Sequence, residues 1–138
     1  MVILVAAQVN REAAAQADPE KTRGKLEGTW ELVSYKYVEG APFKDVAKDQ
    51  RVIKLMTGNH FVWVSYDVRK KKPTSIGGGR YSLEGDTYTE ELDFADKRAE
   101  SLVGKRQSFQ AKIEGDIWRH SAALSNGLKI EEIWRRVH

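Results

Sequence analysis

From Gly28 to the end of the chain, apolar and polar residues alternate with a period of two, in runs separated by turn-forming clusters. That period puts successive side chains on opposite faces of an extended backbone, so each run predicts a strand with one apolar face. The runs are Thr29 to Val38, Gln50 to Met56, His60 to Asp67, Gly78 to Leu83, Thr87 to Phe94, Lys105 to Ile113, Ile117 to Leu124 and Leu128 to Val137. Four links between them, Thr57-Gly58-Asn59, Glu84-Gly85-Asp86, Glu114-Gly115-Asp116 and Ser125-Asn126-Gly127, have the chemistry of tight hairpin turns. Strands joined in this way run up and down in sequence order. Eight of them with one apolar face each remove their unpaired edges by closing on themselves. The predicted class is therefore all-β, an eight-stranded antiparallel up-and-down β-barrel with an N-terminal helix. Two longer connections, Glu39 to Asp49 and Ala95 to Gly104, interrupt the rhythm.

The hairpins also set which side chains meet. Closing the turn at Gly85-Asp86 opposes Leu83 to Tyr88 and Tyr81 to Glu90, and puts the polar Arg80, Ser82, Thr89 and Glu91 outside. Tyr81, Tyr88, Glu90, Leu92 and Phe94 then point inward. The turn at Gly115-Asp116 opposes Ile113 to Trp118 and Ala111 to His120, with Ser108, Gln110, Lys112 and Arg119 outside and Phe109 inside. Around Ser125-Asn126-Gly127, Ala122 meets Ile130, His120 meets Glu132 and Trp118 meets Trp134. For the second and third strands, keeping Lys54 outside puts Ile53, Leu55, Phe61 and Trp63 inside. A bulge in any hairpin would flip the faces beyond it.

The chain before the strands differs in character. Residues 1–25 form an apolar and helix-favouring segment, and 26–138 form the barrel domain. Met1-Val2-Ile3-Leu4-Val5-Ala6-Ala7 is apolar, and Ala13-Ala14-Ala15-Gln16-Ala17 has the small residues of a signal-peptidase site. No Lys or Arg precedes the short apolar run, so the segment reads as a remnant of an export signal or as a helix from Asn10 to about Lys25. The export reading favours a periplasmic or secreted location over the cytoplasm.

Two stretches carry a family resemblance. Leu26-Glu27-Gly28-Thr29-Trp30-Glu31-Leu32-Val33-Ser34 is similar to the Gly-x-Trp opening of lipocalin-like (calycin) domains, and Glu131-Glu132-Ile133-Trp134-Arg135-Arg136-Val137 to their last strand. The turn of secreted lipocalins near the seventh strand, Thr-Asp-Tyr-like, has no counterpart, so the chain most resembles the short bacterial lipocalin-like domains. The resemblance implies structural roles for Gly28, Trp30, Trp134 and Arg136: the Trp plugs the closed end of the barrel and the Arg packs over it, a cation–π contact. It also implies a lid over the open mouth, which makes Glu39 to Asp49 the portal candidate.

Composition narrows the function. At 138 residues, 41% hydrophobic and 31% charged, the chain is an ordinary globular protein. It has no cysteine, which removes disulfides, thiolate nucleophiles and Cys-ligated metals. A net charge of +3 is too small to argue for nucleic acid, and the run Arg69-Lys70-Lys71-Lys72 reads as a solvated loop. No apolar stretch reaches the ~20 residues of a membrane span. Ile76-Gly77-Gly78-Gly79-Arg80 precedes no helix, so it reads as a bend in a strand rather than a phosphate cradle. His60, His120 and His138 are not at metal-ligand spacing, and the sequence implies no metal and no cofactor.

What remains is an aromatic interior holding more polar groups than packing needs. Trp63, Tyr81, Tyr88, Glu90, Phe94, Phe109, Trp118 and His120 are the candidate ligand-binding residues, for a small hydrophobic or amphipathic molecule. Three readings stay open for the buried polar set. Tyr81 and Glu90, and His120 and Glu132, with Arg136 completing the network, can be a purely structural arrangement, since a carboxylate removed from water must be paired. They can orient the polar end of a ligand. Or Glu90 and His120 can work as acid and base in a cofactor-independent isomerase, cyclase or lyase, with Glu132 and Tyr81 as further catalytic candidates. A homodimer is neither implied nor excluded.

Overall fold

The structure, a computed structural model, describes residues 24–138. Nine strands form one antiparallel sheet: β1 (Gly28–Lys36), β2 (Lys44–Asp45), β3 (Gln50–Thr57), β4 (His60–Asp67), β5 (Lys72–Glu84), β6 (Thr87–Ala95), β7 (Arg106–Glu114), β8 (Ile117–Ala123) and β9 (Lys129–Val137). Each strand from β3 to β9 pairs with the next, and β1 pairs with both β3 and β9. The result is a closed eight-stranded up-and-down barrel to which β2 is appended. The two-residue β2 lies within the connection after β1 and pairs with Ser34 and Tyr35, where β3 no longer reaches. The expected helix from Asn10 to about Lys25 falls, except for its last residues, outside the described residues.

Three hairpins close with two-residue turns, at Gly58-Asn59, Gly85-Asp86 and Gly115-Asp116. In each the first turn residue is a glycine with φ between 57° and 59°. A positive φ there and not at the second position marks a type II′ turn, whose twist matches that of the strands and which favours glycine. These turns, the residues before β1 and the end of β9 lie at one end of the barrel. The longer connections lie at the other.

The closed end is packed solid. Leu26, Trp30, Phe61, Tyr88 and Trp118 are buried completely or within 1% of it. Trp30 and Trp118 meet edge to face at 5.5 Å, and Tyr88 meets Trp118 at 5.0 Å. Trp30 donates its indole N–H to Leu26 O at 2.8 Å. Arg136, paired with Trp30 across β1 and β9, caps this end: its guanidinium carbon lies 4.3 Å from the Trp30 ring centroid, and its two Nη atoms donate to Lys25 O and Glu27 O. A Cβ on Gly28 would sit 3.0 Å from Arg136 Nη1, and Gly28 has φ 124°, so glycine serves both the turn and the guanidinium. Arg136 therefore belongs to the barrel end and not to the inner polar network.

Two expectations of register are overturned. Lys54 points inward and is 5% exposed, while Leu55 is 48% exposed and Ile53 shares its outward face. The two-residue turn at Gly58-Asn59 opposes Met56 to Phe61 and Lys54 to Trp63, so an inward Trp63 takes Lys54 inward with it. Phe94 is 47% exposed. The pairing of β5 with β6 slips between Gly78 and Gly79, opposite Phe94 and Leu92, and the bulge turns Phe94 to the outer surface above Gly78. The strand β5 also begins at Lys72, six residues before the expected Gly78, and so includes Pro73.

Candidate functional site

Above the packed end the barrel is hollow. A cavity of about 590 Å³ opens at the end away from Arg136, within the ~300–1,000 Å³ range of small-molecule sites. Leu32, Val52, Leu92, Phe109 and Ile130 form apolar walls, with Trp63 and Trp134. Trp63 is held by its indole N–H to Ser75 Oγ, which in turn donates to Asp96. Its ring also explains Gly77: a Cβ there would lie 2.0 Å from Trp63 Cη2. Gly77 leaves room for the ring that walls the cavity.

The mouth draws on both long connections. Val46 and Ala47 come from the expected portal segment, with Tyr37 just before it, and Arg98, Ala99 and Leu102 from the second. In the latter, a short 3₁₀ turn over Glu100–Leu102 is 8% exposed at Leu102, and Gly104 N donates to Leu92 O, so the segment folds over the wall. Next to this segment, Gln107 ties β7 to the link between β8 and β9: its amide nitrogen donates to Ser125 Oγ and its amide oxygen accepts from Ser125 N, both at 2.8 Å.

Two hydrogen-bonded pairs of polar side chains form the floor. Lys54 Nζ lies 2.6 Å from Glu90 Oε1, which also accepts from the Tyr88 hydroxyl at 2.7 Å. The Lys54 ammonium is within 6 Å of four ring centroids: Trp134 at 4.9 Å, Trp118 at 5.3 Å, Phe61 at 5.4 Å and Tyr88 at 5.7 Å. An ammonium removed from water is held there by one carboxylate and by the negative faces of aromatic rings. Burial, reinforced by Glu90, pushes the Tyr88 phenol well above its ordinary pKa, so it remains a donor.

The second pair is His120 with Glu132. His120 Nε2 and Glu132 Oε2 are 2.7 Å apart, the Trp134 indole donates to the same oxygen at 3.0 Å, and the Tyr37 hydroxyl donates to Oε1 at 2.8 Å. Burial raises the Glu132 pKa, but the hydrogen bond and charge of His120, the Lys54 charge and the Tyr37 hydroxyl outweigh it and hold the carboxyl at about 2. The His120 ring stacks on Phe109 at 4.5 Å and meets Trp118 edge on at 4.8 Å. Among the described residues, Nδ1 of His120 is buried without a hydrogen-bond partner.

Of the residues that sequence reasoning selected for binding, Trp63, Glu90, Phe109 and His120 line the cavity. Tyr81, Tyr88 and Trp118 lie inside the barrel in the packed layer beneath it, and Phe94 is outside. The Tyr88 hydroxyl donates to Glu90, and Tyr81 is opposite Glu90 in the ladder. Glu132 lines the cavity as well, and Trp134, expected to be structural, is part of its wall. Glu90 and His120 both line the cavity, each hydrogen-bonded to a different partner, Lys54 and Tyr88 for Glu90 and Glu132 for His120. Lys54 was missed because a lysine in a strand is normally solvated; the hairpin register was the signal that contained it.

Known structures place this architecture. A lipocalin-like protein from Bacteroides uniformis superposes with a TM-score of 0.60 at 21% identity, covering 83% of this chain and 100% of that one. The fold is lipocalin-like. A second protein, uncharacterized, from Bacteroides eggerthii superposes at 0.57 and 13% identity over 80% of this chain and 98% of its own. A de novo designed fluorescence-activating β-barrel superposes at 0.51 and 15% identity, over 84% and 97%. No protein-family model and no curated protein matches the chain. The lipocalin-like barrel of this chain thus carries the Gly28, Trp30 and Arg136 arrangement on which the resemblance was based. Among its described residues no helix is long and apolar enough to cross a membrane.

Proposed function

We propose that the barrel binds one small, mainly apolar molecule with a polar end, as a carrier or sensor. The observation that carries this reading is the composite lining of the cavity: apolar walls of Leu32, Val52, Leu92, Trp63 and Phe109 stand over a floor that holds the Lys54–Glu90 ion pair and the His120–Glu132 hydrogen bond. A side-chain-filled barrel made only for stability would not leave about 590 Å³ open above a buried ion pair. The walls supply affinity through burial, at about 25 cal/mol per Å² of apolar surface removed from water. Glu90 and His120 supply orientation. Arg69, Lys70 and Lys71 turn the chain between β4 and β5, where the Asp67 carboxylate accepts from the backbone N–H groups of Arg69 and Lys70.

Native mass spectrometry of freshly purified protein tests it. The wild type is expected to retain or take up one apolar small molecule per chain, and Val52→Trp, which puts an indole into the cavity, is expected to lose it while remaining folded. Equal occupancy of wild type and Val52→Trp, or none in either, would overturn the reading.

A further inference from the structure

Lys54 has no packing role that an apolar residue would not fill better. Replacing a buried ion pair by well-packed hydrophobic side chains is commonly neutral or stabilising, yet this barrel keeps an ammonium at the base of its cavity with its side chain 6% exposed. Among the described residues it is the only primary amine lining that cavity. We propose that Lys54 captures an apolar aldehyde as an imine, with Glu90 as proton acceptor and then counterion. The inference rests on the reading of the barrel as a small-molecule site and names the chemical class of its ligand.

The arrangement matches what such capture requires. A lysine becomes a nucleophile toward carbonyl compounds when a base sits beside it and water is kept away. Glu90 Oε1 is 2.6 Å from Nζ and can take one ammonium proton directly. The freed nitrogen lone pair attacks the carbonyl carbon, the carbonyl π electrons move to oxygen, and one proton passes from the now cationic nitrogen to that oxygen. The carbinolamine then loses that oxygen as water, with the proton held by Glu90, and a carbon–nitrogen double bond forms. Ammonium and aldehyde thus give a protonated imine and one water, with no oxidant or other reactant needed. Water leaves through the open mouth.

The surroundings suit the product as well as the reactant. The iminium carries the same positive charge at the same place, so the rings of Trp134, Trp118, Phe61 and Tyr88 continue to face a cation. Tyr88 holds Glu90 in place by donating to the oxygen that faces Lys54. The remainder of the aldehyde extends along Val52, Trp63 and Phe109, where only apolar, preferably conjugated or aromatic, bodies gain by burial.

The test uses para-dimethylaminocinnamaldehyde, a conjugated aldehyde whose absorption moves to longer wavelength on forming a protonated imine, with borohydride to fix the adduct and peptide mapping to locate it. At limiting probe, the full chain is expected to carry the reduced adduct on Lys54 at ten or more times the level on any surface lysine. Lys54→Arg, which keeps a cation opposite Glu90 but cannot form the imine, is expected to lose both adduct and absorption shift. Glu90→Gln is expected to slow formation at least tenfold and to move the absorption maximum. Binding of the corresponding alcohol to the wild type, followed by tryptophan fluorescence, separates the two levels of the argument. Alcohol binding without modification of Lys54 would overturn capture and leave the cavity reading intact; neither binding nor modification would overturn both. Modification spread evenly over surface lysines would also overturn capture.

Discussion

The guanidinium of Arg136 lies 4.3 Å over the Trp30 ring in the space left by Gly28, and joins the last strand to the segment before the first. Trp30 is fully buried beside Leu26 and Trp118, in the first strand of a closed sheet that cannot collapse around a void. Trp30→Ala is therefore expected to cost about 3–5 kcal/mol in urea unfolding. Arg136→Ala is expected to cost less, about 1–2 kcal/mol, from one cation–π contact and two hydrogen bonds to backbone carbonyls. A larger loss for Arg136 than for Trp30 would contradict this account of the barrel end.

The Lys54 and Glu90 pair makes a prediction about coupling. Lys54→Met alone strands a carboxylate beneath the cavity, and Glu90→Gln alone strands an ammonium, so each is expected to cost roughly 3–5 kcal/mol. The double variant strands neither charge and is expected to be more stable than either single variant. A double-mutant cycle by denaturant titration reads this directly. Additive losses would show that the two side chains do not depend on each other.

Glu132 sets the acid behaviour. Its pKa is lowered from an ordinary 4.5 to about 2 in the folded chain. A depressed carboxylate contributes stability that is complete above the unfolded pKa and is lost as pH falls through the folded one. The unfolding free energy is thus expected to decline between about pH 5 and pH 2, with on the order of 3 kcal/mol attributable to Glu132. In Glu132→Gln that part of the pH dependence should vanish. An unchanged slope in the variant would assign the acid sensitivity elsewhere.

The glycines of β5 differ in what they protect. A Cβ on Gly79 would lie 2.0 Å from the backbone oxygen of Glu91, at the bulge opposite Leu92, where nothing flexible can yield. The three atoms nearest to a Cβ on Gly77 all belong to the Trp63 ring. Gly79→Ala is expected to be the more destabilising of the two, with Gly77→Ala costing about 1–3 kcal/mol and shifting tryptophan emission as the ring moves. Thermal melts with fluorescence detection would show it. The reverse order would place the close approach on the wrong strand.

How much of this was legible in the sequence follows from what is local. The turns at Gly85-Asp86 and Gly115-Asp116 fix their own registers, and the pairs Tyr81 with Glu90, Ala111 with His120 and His120 with Glu132 occur as read. Lys54 was not legible by pattern because its partner Glu90 is 36 residues away and faces it from across the barrel. A rule that sends lysines to solvent and leucines to the core gives the wrong face to Leu55. Phe94 was lost to a bulge, which adds a residue without changing the alternation that precedes it. The division of the interior into a packed end and a hollow end depends on side-chain volumes summed over all strands. No single strand contains it.

The central claim is that the space above Lys54 and Glu90 is a binding site, and titration with a small apolar fluorophore that carries one polar group tests it most directly. Emission from the probe should rise and saturate at one molecule per chain, with energy transfer from Trp63 and Trp134 on the cavity wall. Val52→Trp should remove that saturable binding with the chain still folded by circular dichroism, because the added ring fills the space rather than the core beneath it. A wild type that gives no saturable signal, or a Val52→Trp variant that binds as the wild type does, would contradict the account.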